Sequence, residues 1–322
     1  MGVKTIAVDC GKDETKICMA GEDGKLIHER FKTRMEKTTP FEDSSMHPDN
    51  VHTVTFEGKT YLVGAKNDCE SHSNSKEELI HKVLTLTAIG MNVDNDDVIN
   101  IAIGCPISEY RNEAKRKSYL DYILPPEGNR VEIFIDGKKK YFTIGKRKVF
   151  SECIGALYVL PDKFRENLTG IIDIGGLNVN GSFFSNGKIE EEHCFTIKYG
   201  KNTVINTLKQ QFQETFDGEY SRAHTEIFLD NGKVPNHEDE SAKIIEKALY
   251  DQLNFIKETC LDNGWNLDIC NLVFIGGTTN LLKNRIQEVF GDKVVTAKEA
   301  GFANVDGYLK LLSLYLDMKK DR

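Results

Sequence analysis

The nine residues VDCGKDETK, Val8 to Lys16, decide how this chain is read. They follow the apolar run VKTIAV and lead into TKICMAG, both of strand character. In between stand a carboxylate (Asp9), one glycine (Gly11), three charged residues and the pair Thr15–Lys16. Read alone, the stretch is a surface hairpin turn or half of a phosphate clamp. A glycine turn at the end of a buried strand can aim backbone N–H groups at a phosphate, because glycine allows close approach. The other half would be a second turn of the same kind. GIIDIGG, Gly170 to Gly176, is such a turn: Asp173 ends an apolar run and is followed by Gly175 and Gly176.

The two turns head two halves of similar plan. In the first, KTIAVD, TKICMAG and LIHERFK read as a three-strand meander, with a turn at Glu22-Asp23-Gly24. VHTVTFEGKTYLVG is a hairpin turning at Glu57–Gly58, and VEIFIDGKKKYFTIG another at Asp136–Gly137. SKEELIHKVLTLTAIG has helical periodicity, with Ser75 and Glu78 spaced as a capping box. NIAIGCP is a buried strand, SEYRNEAKRKSYLDYIL an amphipathic helix, and VFSECIGALYVL a strand end running into an apolar helix. In the second half, strands turn at Asn186–Gly187 and helices dominate from NTVINTLKQQF to ESAKIIEKALYDQLNFIKETC. This is an architectural duplication, which predicts mixed sheets with helices packed on them and a cleft between the halves.

A third segment, LVFIGGTTNLL, offers Gly276, Gly277 and Thr278 between a strand and a helix start, a platform for anions and nucleotides. It is neither a Walker A loop nor a Rossmann fingerprint. If the two Asp-x-Gly turns grip phosphates, Asp9 and Asp173 hold a magnesium ion through water, since magnesium takes few carboxylates and keeps its waters. Lys16 neutralises phosphate charge.

The 322 residues carry a net charge of −8, which argues against direct binding to DNA or anionic lipid. The basic runs Lys138–Lys140 and Lys146–Lys148 read as solvated hairpin faces. The eight cysteines form no C-x-x-C pair and none lies near a histidine at ligand spacing, which predicts a reducing cytoplasm without a zinc site. No signal peptide and no membrane-spanning run is expected.

The order Asp-x-Gly…Lys, an apolar strand with Glu152, Asp-x-Gly-Gly, then strand-Gly-Gly-Thr-helix resembles the actin-like ATPase superfamily of actins, sugar kinases and large heat-shock chaperones. The landmarks run from residue 4 to about 316. Within it the chain is most similar to the bacterial plasmid-segregating actins, the ParM group, through YLVGAKND, NIAIGCPISEYRN and KYGKNTVINTLKQQF. The resemblance implies an α/β, actin-like two-domain fold with duplicated mixed β-sheets, flanking helices and an interdomain nucleotide cleft. Domain I would span 1–162 with a small insert at about 32–75. Domain II would span 163–322 with an insert at about 200–268, and a last helix at about 298–316 would pack back on domain I.

It also implies Mg²⁺ and ATP, with GTP as an alternative nucleotide. Asp9 and Asp173 would position the metal; Gly11, Thr15 and Lys16 would meet the phosphates from one side, Gly175, Gly176 and Asn178 from the other. Gly276, Gly277 and Thr278 would approach the α-phosphate and ribose, and Gly200 and Asn202 the nucleoside. Glu152 matches the catalytic glutamate that orients the attacking water; its bland alternative is a helix-start acid favoured by the dipole. The implied protein is a bacterial, plasmid-encoded, cytoplasmic ATPase. It would polymerise head to tail, with hydrolysis regulating disassembly, and capture DNA through a DNA-binding adaptor.

Two departures stand out. Leu177 follows Gly176 where the family carries a hydroxyl, and Lys12-Asp13-Glu14 set two acids beside a triphosphate. Two other functions fit the fold: a sugar-type kinase, for which Asp97 is a poorly supported base, and a non-polymerising nucleotide-binding regulator.

Overall fold

The computed structural model describes residues 2–21, 23–39, 50–65 and 77–320. It divides into two compact units, Met1–Val159 with Phe302–Arg322, and Leu160–Gly301.

The first unit opens with β1 (Val3–Cys10), β2 (Glu14–Ala20) and β3 (Leu26–Lys32), an antiparallel meander. Then come β4 (Met35–Thr38), β5 (His52–Phe56), β6 (Lys59–Val63), α1 (Leu79–Met91), β7 (Val98–Cys105), α2 (Ile107–Tyr110) and α3 (Glu113–Ile123). β8 (Arg130–Ile135), β9 (Lys138–Ser151) and α4 (Ile154–Val159) follow. The strands form one sheet in the order β3-β2-β1-β7-β9-β8-β5-β6-β4. β1, β7 and β9 are parallel neighbours at its middle. β7, between the other two, is buried on both faces along most of its length, VINIAIGC. Ile6, Ile101 and Phe142 anchor a core that α1 covers with Val83, Leu86 and Ile89.

Several local expectations change. β5 and β6 join the main sheet through β8, and much of the expected 32–75 segment lies outside the described residues. α1 begins at Leu79 with Glu78 at its N-cap and no side-chain cap, and Ser75 of the expected capping box lies outside the described residues. The single helix expected over SEYRNEAKRKSYLDYIL is broken, because Asn112 accepts the Lys115 N–H at 3.0 Å and starts α3 afresh.

The second unit contains β10 (Thr169–Ile174), β11 (Val179–Ser185), β12 (Lys188–Ile189) and β13 (Phe195–Ile197), then α5 (Lys201–Phe216), α6 (Arg222–Asn231) and α7 (Glu238–Asp262). β14 (Asn271–Ile275), α8 (Thr279–Phe290) and β15 (Val294–Thr296) complete it. Its sheet runs β12-β11-β10-β14-β15, with β13 also paired to β11. The three hairpins turn where Glu57, Asp136 and Asn186 adopt positive φ (48°, 50° and 49°) ahead of a glycine, the backbone that matches strand twist.

The chain closes with α9 (Ala303–Lys320), part of the first unit. It starts five residues later than the sequence suggests, after a turned stretch in which the Ala300 carbonyl accepts the Gly276 N–H at 2.8 Å. Val305, Tyr308, Leu309 and Leu312 bury against Ala7, Cys18 and Ala102.

Candidate functional site

The two Asp-x-Gly turns have the same backbone. Gly11 N–H donates to the Glu14 carbonyl and Gly175 N–H to the Asn178 carbonyl, both at 3.0 Å. Asp9 lies opposite Lys16 in the β1–β2 ladder, and Asp173 opposite Asn180 in the β10–β11 ladder. Burial alternates identically: Asp9 half-buried, Cys10 buried, residues 11–14 half-buried, Thr15 buried, Lys16 half-buried, and likewise from Asp173 to Asn180. The duplication read in the sequence is therefore a residue-by-residue correspondence, Lys12 to Gly176, Asp13 to Leu177, Glu14 to Asn178.

In the second turn the carbonyls of Gly175, Gly176 and Leu177 accept the N–H groups of Lys201 (3.1 Å), Asn202 (2.8 Å) and Gly200 (3.1 Å) at the start of α5. In a trans peptide the carbonyl and the following N–H point in opposite directions, and the described residues contain no cis peptide. With three carbonyls turned to α5, the N–H groups of Gly176, Leu177 and Asn178 face away from it, a row of donors suited to an anion. Leu177 thus takes part through its backbone, and no side-chain hydroxyl is needed there. The Asn178 Oδ1 is buried without a partner among the described residues, leaving that amide end for a ligand.

The first turn reaches the same arrangement by other means. The Asp13 carbonyl accepts the Thr33 N–H at 2.8 Å and the Lys12 carbonyl accepts Arg34 Nη1 at 3.4 Å. The N–H groups of Asp13 and Glu14 accordingly turn away from that side. Arg34 does with a buried guanidinium what α5 does with backbone. The two acids are not loose charges: Asp13 pairs with Lys32 at 3.0 Å and Arg34 at 3.5 Å, and Glu14 with Arg30 at 3.5 Å.

The remaining expected residues differ in where their side chains go. Asp9 and Lys16 share one face of their ladder, as directly opposed residues do. The Thr15 side chain goes the other way. It is fully buried on the opposite face, with Oγ1 3.0 Å from Thr33 Oγ1 and 3.2 Å from Cys10 Sγ, so its hydroxyl holds the turn from inside. Thr278 is likewise engaged: its hydroxyl donates to the Gly175 carbonyl at 3.1 Å and its N–H to Ile174 at 3.1 Å. Asn202 Oδ1 accepts from Arg222 at 2.6 Å. Gly200, Asn202 and Thr278 therefore brace the second turn.

Glycine is required at two of these positions. A Cβ on Gly200 would stand 2.4 Å from the Gly176 carbonyl oxygen, and one on Gly276 would stand 2.4 Å from Asp173 Oδ1 and from the Ile174 oxygen, at φ +97°. Gly276 is buried and brings β14 close under Asp173, while Gly277 is exposed at the start of α8. Glu152 precedes α4 rather than starting it, because Cys153 takes φ +67° before the helix begins at Ile154. The Glu152 N–H is held by the Cys105 carbonyl at 2.9 Å, at the end of β7.

Three functional supports escaped the sequence reading. Arg34 and Thr33 lie beyond the turn they hold, and Asn304 reaches the Cys153 N–H at 3.0 Å from α9. No pattern around Asn304 announces that contact; its separation of 151 residues hides it.

Among the described residues one group of metal-type side chains meets, Cys18, His28 and Asp306, which includes neither Asp9 nor Asp173. Cys18 and His28 face each other across β2 and β3, and Asp306 pairs with His28 Nε2 at 2.6 Å. Burial, with Asp306 beside it, pushes the Cys18 thiol upward and keeps it protonated, so the group closes as a hydrogen-bonded tie between α9 and the meander. No helix among the described residues is long and apolar enough to cross a membrane.

Residues 7–155 match the family model for the N-terminal domain of actin-like proteins. A search of curated proteins returns no match. Among solved structures, the Alp12 filament is 25% identical at a TM-score of 0.74, over 98% of this chain and 100% of that one. Ta0583, an archaeal actin homologue, gives 0.80 at 18% identity over 97% and 99%, and has also been solved in complex with ADP. A 15-stranded ParM filament from Clostridium botulinum gives 0.76 at 20% identity over 98% and 100%. Residues 7–155 thus match an actin-like N-terminal domain, and the chain as a whole shares the two-domain fold of actin-like proteins.

Proposed function

We propose that this protein binds and hydrolyses Mg-ATP, with its two Asp-x-Gly turns as the phosphate-binding elements. Nucleotide state then controls head-to-tail assembly into filaments that segregate plasmid DNA in the cytoplasm. The observation that carries the reading is the pair of equal turns, each with its carbonyls tied back and its N–H groups turned outward. One such turn is a hairpin; two in register-equivalent places, each with a carboxylate two residues before its glycine, suit phosphate binding. The filament structures of Alp12 and the Clostridium botulinum ParM, and the ADP complex of Ta0583, support the assembly and the ligand class.

Phosphoryl transfer to water needs positioning and charge neutralisation more than covalent help. Gly11 and the N–H groups of Asp13 and Glu14 bind phosphate from one turn; Gly175 and the N–H groups of Gly176, Leu177 and Asn178 bind it from the other. Lys16, on the same face as Asp9, offsets phosphate charge. Gly277, exposed ahead of α8, lets the chain lie close to the α-phosphate and ribose. Asp9 and Asp173 are half-buried carboxylates at strand ends, which suits a magnesium ion held through its waters. That ion supplies positive charge to the phosphates. Glu152 orients the water that attacks. ATP is the working nucleotide, with GTP as the competitor to be compared. The net charge of −8 favours a DNA-binding adaptor over direct contact with DNA.

Sedimentation of the purified protein with and without Mg-ATP, with phosphate release followed alongside, tests the proposal. Pelleting that depends on Mg-ATP, with Glu152→Ala still assembling but releasing phosphate slowly, is the expected outcome. Absence of nucleotide-dependent pelleting across a wide protein concentration range would overturn the filament reading. Parallel runs with GTP decide the nucleotide.

A further inference from the structure

Three strand ends stand side by side in the first unit. β1, β7 and β9 are parallel neighbours, with Val8 level with Ile103 and Cys105 level with Ser151. Asp9 therefore leaves the first strand, Gly104 and Cys105 the middle one, and Glu152 follows the third. The ring of Tyr308, from α9, lies against the middle end. A Cβ on Gly104 would come 2.6 Å from that ring and 2.7 Å from its hydroxyl, and one on Gly155 would come 3.0 Å from it. Gly307 lets α9 touch α4, since a Cβ there would stand 1.9 Å from the Gly155 carbonyl oxygen. Three glycines thus accommodate one tyrosine.

Tyr308 is fully buried, and its hydroxyl has no hydrogen-bond partner among the described residues. An orphaned buried hydroxyl costs about 1–3 kcal/mol, and phenylalanine would fill the same space without that cost. Four residues earlier on α9, Asn304 fixes the backbone directly after Glu152. Burial, then the carboxylates of Asp9 and Glu152, push the Tyr308 hydroxyl well above its ordinary range.

We propose that Tyr308 is a positioning residue for hydrolysis: its hydroxyl donates to a water shared with Asp9 and Glu152, fixing the carboxylate of Glu152 for its work. This rests on the reading of Asp9 and Glu152 given above. No proton is transferred from Tyr308; it supplies the hydrogen bond that completes the water's coordination.

Tyr308→Phe tests this, because it keeps the ring and removes only the oxygen. Thermal unfolding, Mg-ATP affinity and single-turnover phosphate release are measured on wild type, Tyr308→Phe, Glu152→Gln and the double variant. The expected result is a melting temperature no lower than wild type, affinity within about twofold, and phosphate release slowed about tenfold. In the double variant the loss should be little more than in Glu152→Gln alone, since the two act through one water. Unchanged phosphate release in Tyr308→Phe would overturn the proposal, as would fully additive losses, which mark independent structural damage. If Glu152→Gln is slow and Tyr308→Phe is not, only this inference falls. If Glu152→Gln releases phosphate at the wild-type rate, the assignment of Glu152 fails and this proposal with it.

Discussion

The two turns share a backbone and differ in what holds it. The second turn is braced by main chain: three N–H groups at the start of α5 take its carbonyls, and Thr278 adds a hydroxyl to one of them. The first is braced by side chains: Arg34 reaches the Lys12 carbonyl and, with Lys32, pairs with Asp13. A backbone brace leaves little freedom and demands glycine at the contact; a side-chain brace tolerates charge in the turn provided the charge is paired. That difference accounts for both departures from the family pattern. Leu177 is acceptable where only N–H groups are presented, and Lys12-Asp13-Glu14 are acceptable because β3 and the residues after it carry matching cations.

Substitutions can break each brace separately. The largest effect is expected for Gly200→Ala, whose Cβ would meet the Gly176 carbonyl oxygen at 2.4 Å. Pushing α5 off the turn should cost about 3 kcal/mol in chemical denaturation and abolish nucleotide binding. Arg34→Met removes the guanidinium from a buried carbonyl contact and from Asp13; a loss of about 2 kcal/mol and weaker Mg-ATP binding should follow, measured by denaturation and calorimetric titration. Thr278→Val keeps the shape and deletes one hydrogen bond to Gly175, so about 1 kcal/mol is expected, with a smaller change in affinity. Lys32→Met should do least, below about 1 kcal/mol, and its effect should fade as salt is raised, because the Asp13–Lys32 pair is partly solvated. If Arg34→Met proved harmless while Gly200→Ala did not, the first turn would be held by its other contacts, the Thr33 N–H and the Asp13–Lys32 pair among them.

Much of this was legible in the sequence because it rests on periodicity and turn chemistry. The repeated Asp-x-Gly after an apolar strand marked both turns, and Glu57–Gly58, Asp136–Gly137 and Asn186–Gly187 marked three hairpins. Side-chain roles were harder. Thr15 reads as a phosphate ligand beside Lys16, yet alternation along β2 sends it to the buried face. Thr278 and Asn202 carry the polar groups a nucleotide site needs, but the second turn uses them first. Arg34, Asn304 and Tyr308 act through contacts between segments distant in the chain, which no local pattern encodes. The break at Asn112 turned on one capping hydrogen bond inside an otherwise helical stretch.

The central claim is that both turns serve Mg-ATP binding. Titration of Mg-ATP into wild type, Asp9→Ala and Asp173→Ala, each shown folded by its melting curve and each repeated without magnesium, tests it most directly. The account predicts that either substitution alone lowers Mg-ATP affinity by at least about tenfold, or 1.4 kcal/mol, and that the loss largely disappears without magnesium. Wild-type Mg-ATP affinity in either folded variant would contradict it.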